Sequence, residues 1–506
     1  MATHSDVYVI SDLHIGGRPA EGDKPSFQMC PPEARRRAAR FVRKITSPGR
    51  GKQVELVING DFVDFLAEEP FSAFTADQDE AVKKFKQIIE HCDGGHPKEE
   101  QLFLALRDFL AAGHSLVLLL GNHDIELALP KVKETLIEVL TQGEARHLQL
   151  LFNGEAYKKG ELLLEHGNRY DKWNAVSYGG LRALNATLTR GETPHNFPVP
   201  PGSILVEKVM NPMKLRYRFI DLLKPENEVL IPMLIALEPE LSSTLFGFLK
   251  IYLKNQRKVP VPSGGRVSKA ESYVAEVSEK EAQVSENTDE TSTEATDEEA
   301  LRKEIETYVR QVNQLMQEIE DLEFDGRIPG EMSKVGDGAV AWMKSVYSII
   351  KARTSKKHRY RHLLNALKQH TISTSQTFSL AHEDDTYHAA AERMAGNNSG
   401  VLVFGHTHLP RFIPSGQSLY INTGTWCPTI ELDNTIYFDD TDEDTAISLL
   451  ETFVTDLQNN NLAPYRQLKT CFAHVAFDGE SLDSAKLVEF QEDGDELVIG
   501  EWNRDN

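Results

Sequence analysis

The chain has 506 residues, 40% of them hydrophobic, which by length and composition suits two or three domains with a sizeable core. It carries 77 acidic against 55 basic side chains, a net charge of -22, and this excludes a protein whose main task is to hold bulk nucleic acid, because Lys and Arg supply affinity for a phosphate backbone. Four cysteines, Cys30, Cys92, Cys427 and Cys471, lie far apart with no Cys-x-x-Cys pair, so neither a disulfide framework nor a structural zinc site is expected and a reducing cytoplasmic compartment is.

The first apolar run, residues 7–10, reads as a buried strand and leaves no room before it for a signal peptide. It ends in Asp12-Leu13-His14. Pro31-Pro32 then opens a helix over 34–44, whose Arg35, Arg36, Arg37 and Arg40 are expected on a solvated face. A second strand, 54–58, runs into Gly60-Asp61, with Asp64 close behind. Helical spacing over 79–91 and 99–112 leads to a third strand, 116–120, which ends in Gly121-Asn122-His123-Asp124. A shorter strand, 162–164, precedes Glu165-His166-Gly167. Strands alternating with helices are the habit of an α/β layered fold, in which loops leaving the carboxyl ends of strands converge on one crevice.

From 176 to 385 the pattern changes to helical segments, among them 211–223, 299–322 and 340–351, without strand-ending polar blocks. This part reads as an inserted helical cap between a first core part, 1–175, and a second, 386–506. Within it, residues 263–300 are rich in Glu, Ser and Thr and poor in large apolar groups, a composition expected to remain a mobile acidic tether. The apolar stretch 229–253 is interrupted by Glu238, Pro239 and Glu240 and reads as two helices rather than a membrane span. The basic run Lys356-Lys357-His358-Arg359-Tyr360-Arg361-His362 is expected to be the wet face of a helix, ahead of a phosphate-gripping lid. A strand at 401–404 then ends in Gly405-His406-Thr407-His408, and another at 418–421 ends in Asn422-Thr423-Gly424-Thr425-Trp426. In the tail, 429–438 adds a further piece, a helix is expected over 445–457, and strands at 471–477 and 486–490 are expected to complete the second sheet of a sandwich.

Taken singly, Asp12-x-His14 reads as a turn with a capping carboxylate and Gly60-Asp61 as a common turn dipeptide. Turn chemistry does not, however, call for histidines and an asparagine at successive strand ends. Carboxylate, imidazole and amide oxygen together suit Mn, Fe, Zn or Ni better than Mg, which prefers oxygen and water; two divalent ions, manganese first, are the expected cofactors.

The order Asp-x-His, Gly-Asp-x-x-Asp, Gly-Asn-His-Asp, His-Gly and Gly-His-x-His resembles the calcineurin-like metallophosphoesterase superfamily. The stretches from His166 to Asn174 and from Asn422 to Trp426 are most similar to bacterial enzymes related to UDP-2,3-diacylglucosamine pyrophosphohydrolase. The resemblance implies an αββα sandwich and a dinuclear centre: one ion held by Asp12, His14, Asp61 and His408, the other by Asp61, Asn122, His166 and His406, with Asp61 bridging. It further implies a metal-bound hydroxide as nucleophile, His123 as charge-stabilising group or acid, and Asp124 orienting the His123 imidazole. Asp64 is expected behind the ligands. Arg169, Asp171 and Asn174 are candidates to face the substrate. The expected activity is hydrolysis of a small phosphodiester, pyrophosphate or phosphomonoester. A nuclease on the same scaffold is disfavoured by the acidic balance, and a noncatalytic module by the presence of every ligand position; a protein partner docked through the cap stays open.

Overall fold

The computed structural model describes residues 4–22, 24–47, 53–143, 146–171, 173–194, 197–215, 217–223, 233, 356–370, 379–381, 385–395, 400–431, 436 and 441–504. The expected acidic tether at 263–300 and the expected helices at 299–322 and 340–351 lie outside these residues. The chain divides into two units: residues 1–226, 373–433 and 455–506 form the first, and 227–372 and 434–454 the second.

The first unit is built on two sheets. In chain order its early elements are β1 (His4–Ile10), α1 (Pro32–Thr46), β2 (Val54–Asn59), α2 (Gln78–Asp93), α3 (Leu102–Ala111), β3 (Ser115–Leu119), α4 (Pro130–Thr141) and β4 (Leu148–Leu151). β1 to β4 pair side by side in parallel. Period-two alternation divides their side chains between two cores. Tyr8, Ile10, Leu56, Ile58, Leu116 and Leu118 face the helical layer, where they meet Phe41, Phe85 and Phe109, whereas Val7, Val9, Val57 and Val117 face the second sheet.

The second sheet runs β5 (Tyr157–Lys159), β6 (Leu162–Leu164), β7 (Val401–Phe404), β9 (Ser418–Thr423) and β8 (Pro410–Ser415) across its width. Leu162, Leu164, Val401, Val403, Leu419 and Ile421 close the core between the sheets. Its outer face, with Leu402, Phe404 and Tyr420, is covered by Ala390 and Ala391 of a helix at Asp385–Ala395. The order of layers is thus helices, sheet, sheet, helix, as the αββα reading requires.

The tail departs from expectation in one respect. After a short antiparallel pair, β10 (Thr429–Ile430) and β11 (Arg466–Gln467), the strands β12 (Cys471–Asp478), β13 (Ser481–Phe490) and β14 (Glu496–Asn503) extend the β1 sheet, with β12 antiparallel to β1, instead of adding to the sheet of β7. Without β12, β1 would present an open hydrogen-bonding edge beside the most buried part of the molecule.

Local chemistry explains the helices. α1 starts on Pro32 with Glu33 in its first turn, ends with Arg43 and Lys44, and buries Ala34, Ala38, Phe41, Val42 and Ile45 at helical spacing. Of the arginines expected on its wet face, Arg35 is buried and donates from Nη1 to the His91 carbonyl at 2.9 Å, the long stem lying along apolar surface while the guanidinium finds a backbone acceptor. The expected helix over 211–223 is shorter: a π-helical turn, Val206–Met210, leads into Asn211–Lys214, after which Leu215 is exposed. In the second unit, Tyr360, Leu363, Leu364 and Leu367 form the buried face of a helix at Lys356–His370, and Arg361 pairs with Glu443. Among the described residues no helix is long and apolar enough to cross a membrane.

One buried acid should be visible in stability. Glu126, 2% exposed, accepts from the Thr75 backbone N–H at 3.2 Å, yet burial pushes its carboxyl up to about 7 despite the nearby Lys84. The folded protein therefore holds this proton where the unfolded chain, with the ordinary value of 4.5, has released it. Stability from this group is complete below pH 4.5 and declines as pH rises through the folded value, by about 3 kcal/mol at most. Glu126→Gln is expected to flatten the fall of melting temperature between about pH 5 and pH 7; a parallel fall in the variant would assign the slope to other groups.

Candidate metal centre

All five polar blocks reach one place, each from the carboxyl end of a strand. Asp12 and His14 follow β1, Asp61 and Asp64 follow β2, Asn122, His123 and Asp124 follow β3, His166 follows β6, and His406 and His408 follow β7. Backbone bonds tie the loops together: Asp12 N–H donates to Gly60 O at 3.2 Å and His14 N–H to Asp61 O at 2.9 Å. His123 N–H donates to Asp61 Oδ1 at 2.9 Å, and His406 N–H lies 3.1 and 3.0 Å from the two Asp12 oxygens.

The backbone is forced at the same points. Asp12, His14, Asp61, His406 and His408 have φ of 53°, 43°, 48°, 69° and 63°, the left-handed region that residues with a Cβ seldom occupy. Two glycines explain why these blocks read Gly-Asn and Gly-His. A Cβ on Gly121 would collide with Asp61 Oδ1, and one on Gly405 with Asp12 Oδ2 and Ser11 Oγ. Each glycine yields its side-chain volume to a carboxylate from another loop. Gly121→Ala, chemically inert in itself, is accordingly expected to lower turnover by about 10²-fold or more by displacing Asp61, with manganese affinity falling in parallel. A variant with wild-type affinity and rate would show that the displacement is absorbed elsewhere.

Among the described residues the donor atoms form three groups, one of them His14, Asp64 and His123, and the other two share Asp61. Asp12, His14, Asp61 and His408 offer one ligand atom each within 4.8 Å of one another, and so do Asp61, His166 and His406. In the first group, His14 Nε2 and His408 Nε2 lie 2.9 Å apart. Two imidazole nitrogens bound to one ion at about 2.1 Å and a right angle would stand about 3 Å apart, so this spacing fits an edge of a coordination shell. Around the second, Asn122 Oδ1 is buried without a hydrogen-bond partner among the described residues, and His166 Nε2 is buried facing the Asp61 carboxylate. A buried oxygen lone pair is costly to leave unmet, and a cation between the two atoms would satisfy it.

Electrostatics point the same way. Burial, reinforced by His123, brings His14 down to about 3, which keeps it neutral and able to donate its lone pair. Burial alone would raise Asp61, but His166 and His123 hold it ionised well below the ordinary carboxylate range. His166 goes the other way: burial lowers it, Asp61 and Asp12 outweigh burial, and it is raised to about 10. Negative charge thus collects where His166 Nε2 faces Asp61 Oδ2 at 3.3 Å, and a divalent cation would replace the proton there.

Neighbouring groups fix how the site presents itself. His166 Nδ1 lies 2.7 Å from the Asn59 carbonyl, so it carries the proton and Nε2 is left for the centre. The Asn59 amide in turn donates to Glu165 O at 2.8 Å. His123 Nδ1 meets Asp64 Oδ1 at 3.2 Å, and its ring stands edge-on to His14 with centroids 4.6 Å apart. It is Asp64, not Asp124, that holds the His123 imidazole. Asp124 instead accepts from Phe62 N–H at 2.8 Å and Gly121 N–H at 2.7 Å, clamping the loops after β2 and β3, while burial and Asp61 push its carboxyl up to about 8.

Of the three residues expected to face substrate, Arg169 donates to Gly154 O at 2.9 Å and pairs with Glu165 at 3.3 Å. Asp171 Oδ2 lies 3.2 Å from His406 Nε2, and Asn174 Oδ1 accepts from Asn122 Nδ2 at 3.4 Å. Burial would raise Asp171, but its bonds to His406, Trp173 and Asn174 keep it below the usual range.

Supporting residues that sequence reasoning gave no role lie behind the candidate donors. Ser11 Oγ is 2.7 Å from Thr423 Oγ1, Thr425 Oγ1 donates to Asp12 O at 2.7 Å, and Asn422 Nδ2 donates to Gly405 O at 2.8 Å. The polar run after β9 was the available signal, since Asn and Thr closing a buried strand need partners nearby.

Residues 5–197, which contain the first four blocks, match the family model for calcineurin-like phosphoesterases. No curated protein matches the chain. The matched segment, the layered αββα sandwich and the buried Asp and His donors at its strand ends agree, and we conclude that the chain carries a calcineurin-like phosphoesterase domain of the metallophosphoesterase superfamily and is a metal-dependent hydrolase of phosphate esters.

Proposed function

We propose that this hydrolase works with two divalent ions, manganese first among the candidates, and cleaves a small phosphodiester, pyrophosphate or phosphomonoester. One ion is assigned to Asp12, His14, Asp61 and His408, the other to Asp61, Asn122, His166 and His406. The observation that carries the reading is the pair of donor groups joined at Asp61. Two ions so placed would supply Lewis-acid charge neutralisation and an activated water at neutral pH.

The chain's own residues do the rest. Asp61, held ionised, keeps negative charge between the two donor groups, and neutral His14 leaves a lone pair on its side of it. Asp64 meets His123 at Nδ1, and Nε2 is the nitrogen assigned to meet an oxygen of the phosphate or to give a proton to the departing oxygen. With 16% of its side chain exposed, His123 is reachable from outside while Asp64 behind it is not. Substrate choice is assigned to the segment between the fourth and fifth blocks, 176–385, because the metal chemistry is common to all three substrate types and this insertion leaves and rejoins the chain between His166 and His406.

The test is a panel: manganese-loaded protein assayed on generic monoesters, diesters, nucleotide sugars and single- and double-stranded nucleic acid. Turnover is expected on small phosphate compounds, with two equivalents of metal bound. Preference for nucleic acid would move the protein to the nuclease class, and full metal loading without turnover on any substrate would make it a binding module.

A further inference from the structure

His166 and His406 are the two histidines of one proposed ion site, and they are held differently. The Asn59 carbonyl sets His166, as described above. For His406 the corresponding partner is a side chain, Asp171, 14% exposed, whose Oδ2 lies 3.2 Å from Nε2. A carboxylate only accepts, so Nε2 carries the proton and Nδ1 is the nitrogen of His406 left to donate a lone pair.

Asp171 is itself fixed. Trp173 N–H donates to its Oδ1 at 2.8 Å and Asn174 Nδ2 to its Oδ2 at 2.7 Å. The other end of the Asn174 amide, Oδ1, accepts from Asn122 Nδ2. Nδ2 of Asn122 is thereby engaged, and its buried Oδ1 is the atom with no hydrogen-bond partner among the described residues. The segment is pinned from outside as well, since Asn168 Nδ2 donates to Asn174 O at 3.0 Å and Gly202 N–H to Trp173 O at 2.8 Å.

We infer that Asp171 and Asn174 are positioning residues that link His406 to Asn122 through one hydrogen-bonded chain, fixing which atom each offers to the same ion. The chain joins a ligand from β3 to one from β7, far apart in sequence, through the turn that follows His166. The inference rests on the proposed roles of His406 and Asn122, and it gives Asp171 work distinct from touching substrate.

The test uses the full-length protein, stripped with chelator and reloaded with manganese in equilibrium dialysis. Wild type is expected to bind two equivalents. Asp171→Asn keeps the shape but turns an acceptor into an amide that can present N–H to His406, favouring the wrong tautomer. It should weaken one equivalent by about 10- to 100-fold and leave the other unchanged. At limiting manganese kcat should fall by a similar factor and recover as manganese is raised, with KM for substrate unaltered; a merely structural defect would not be rescued by metal. Asn174→Ala should weaken the same equivalent by a smaller factor, and it decides the matter if Asp171→Asn melts early in its metal-free form. Wild-type affinity for both equivalents in both variants, or a rise in substrate KM that manganese does not reverse, would overturn the inference. Fewer than two equivalents bound by wild type would instead remove the two-ion reading on which it stands.

Discussion

Asp61→Asn is expected to reduce turnover by about 10⁴-fold or more, because each ion contributes several kcal/mol of charge stabilisation and about 1.4 kcal/mol is worth a decade of rate. Asp61 is the one residue common to both donor groups, it is 1% exposed, and its Oδ1 also accepts the His123 N–H. The amide has nearly the same shape, so the loops should stay folded while the charge proposed to hold two cations disappears. Metal content measured on the dialysed protein should fall together with rate. Two tightly bound ions and near-normal turnover in this variant would mean that the shared residue has been misassigned.

A second large effect is expected at His123, where the loss should appear in rate with the metals retained. Replacement by Ala should lower turnover by about 10² to 10⁴-fold, the range for a general acid or charge-stabilising group. The neighbouring contact with Asp64 distinguishes the two roles. A carboxylate at Nδ1 supports an imidazolium that can give up a proton from its other nitrogen. The deficit should therefore shrink on nitrophenyl substrates, whose leaving group needs little protonation. Equal deficits on activated and unactivated substrates would leave His123 only as a fixed charge opposite the phosphate.

The candidate donor residues are legible in the sequence because each sits where a buried apolar run stops, and a run such as 54–58 or 401–404 can be recognised without its neighbours. Sheet membership was not legible in the same way. The strands at Cys471–Asp478 and Ser481–Phe490 alternate as well as any, but nothing local says which open edge they cover. Edge strands were hard to see at all. Pro410–Ser415 contains Pro410 and Pro414, which argue against a strand except at the border of a sheet, where it lies, and Leu497 and Val498 of the last strand are about half exposed. The roles of Asp64, Asp124, Asn59 and Asp171 depend on contacts across 59, 62, 107 and 235 residues of chain. A motif names a carboxylate, but only the folded loops decide which imidazole or backbone N–H it reaches.

Five of the proposed ligand residues are held in left-handed backbone, and this has a consequence for how the protein survives without its cofactor. Such conformations cost about 1 kcal/mol or more apiece, so the five residues, on three loops, together store an amount comparable to the net stability of a small domain. Cations that bind only the assembled loops repay that cost by mass action. In metal-poor conditions the same loops should be the first part of the sandwich to open, and proteolytic nicking should begin there, between the strand ends, long before the sheets themselves yield. Glycine at position 12 or 406 would relax the backbone and harden the empty protein against proteases, at the expense of the very atom that captures the ion. Resistance to cleavage during chelation and strength of metal capture are therefore expected to trade against each other at these positions.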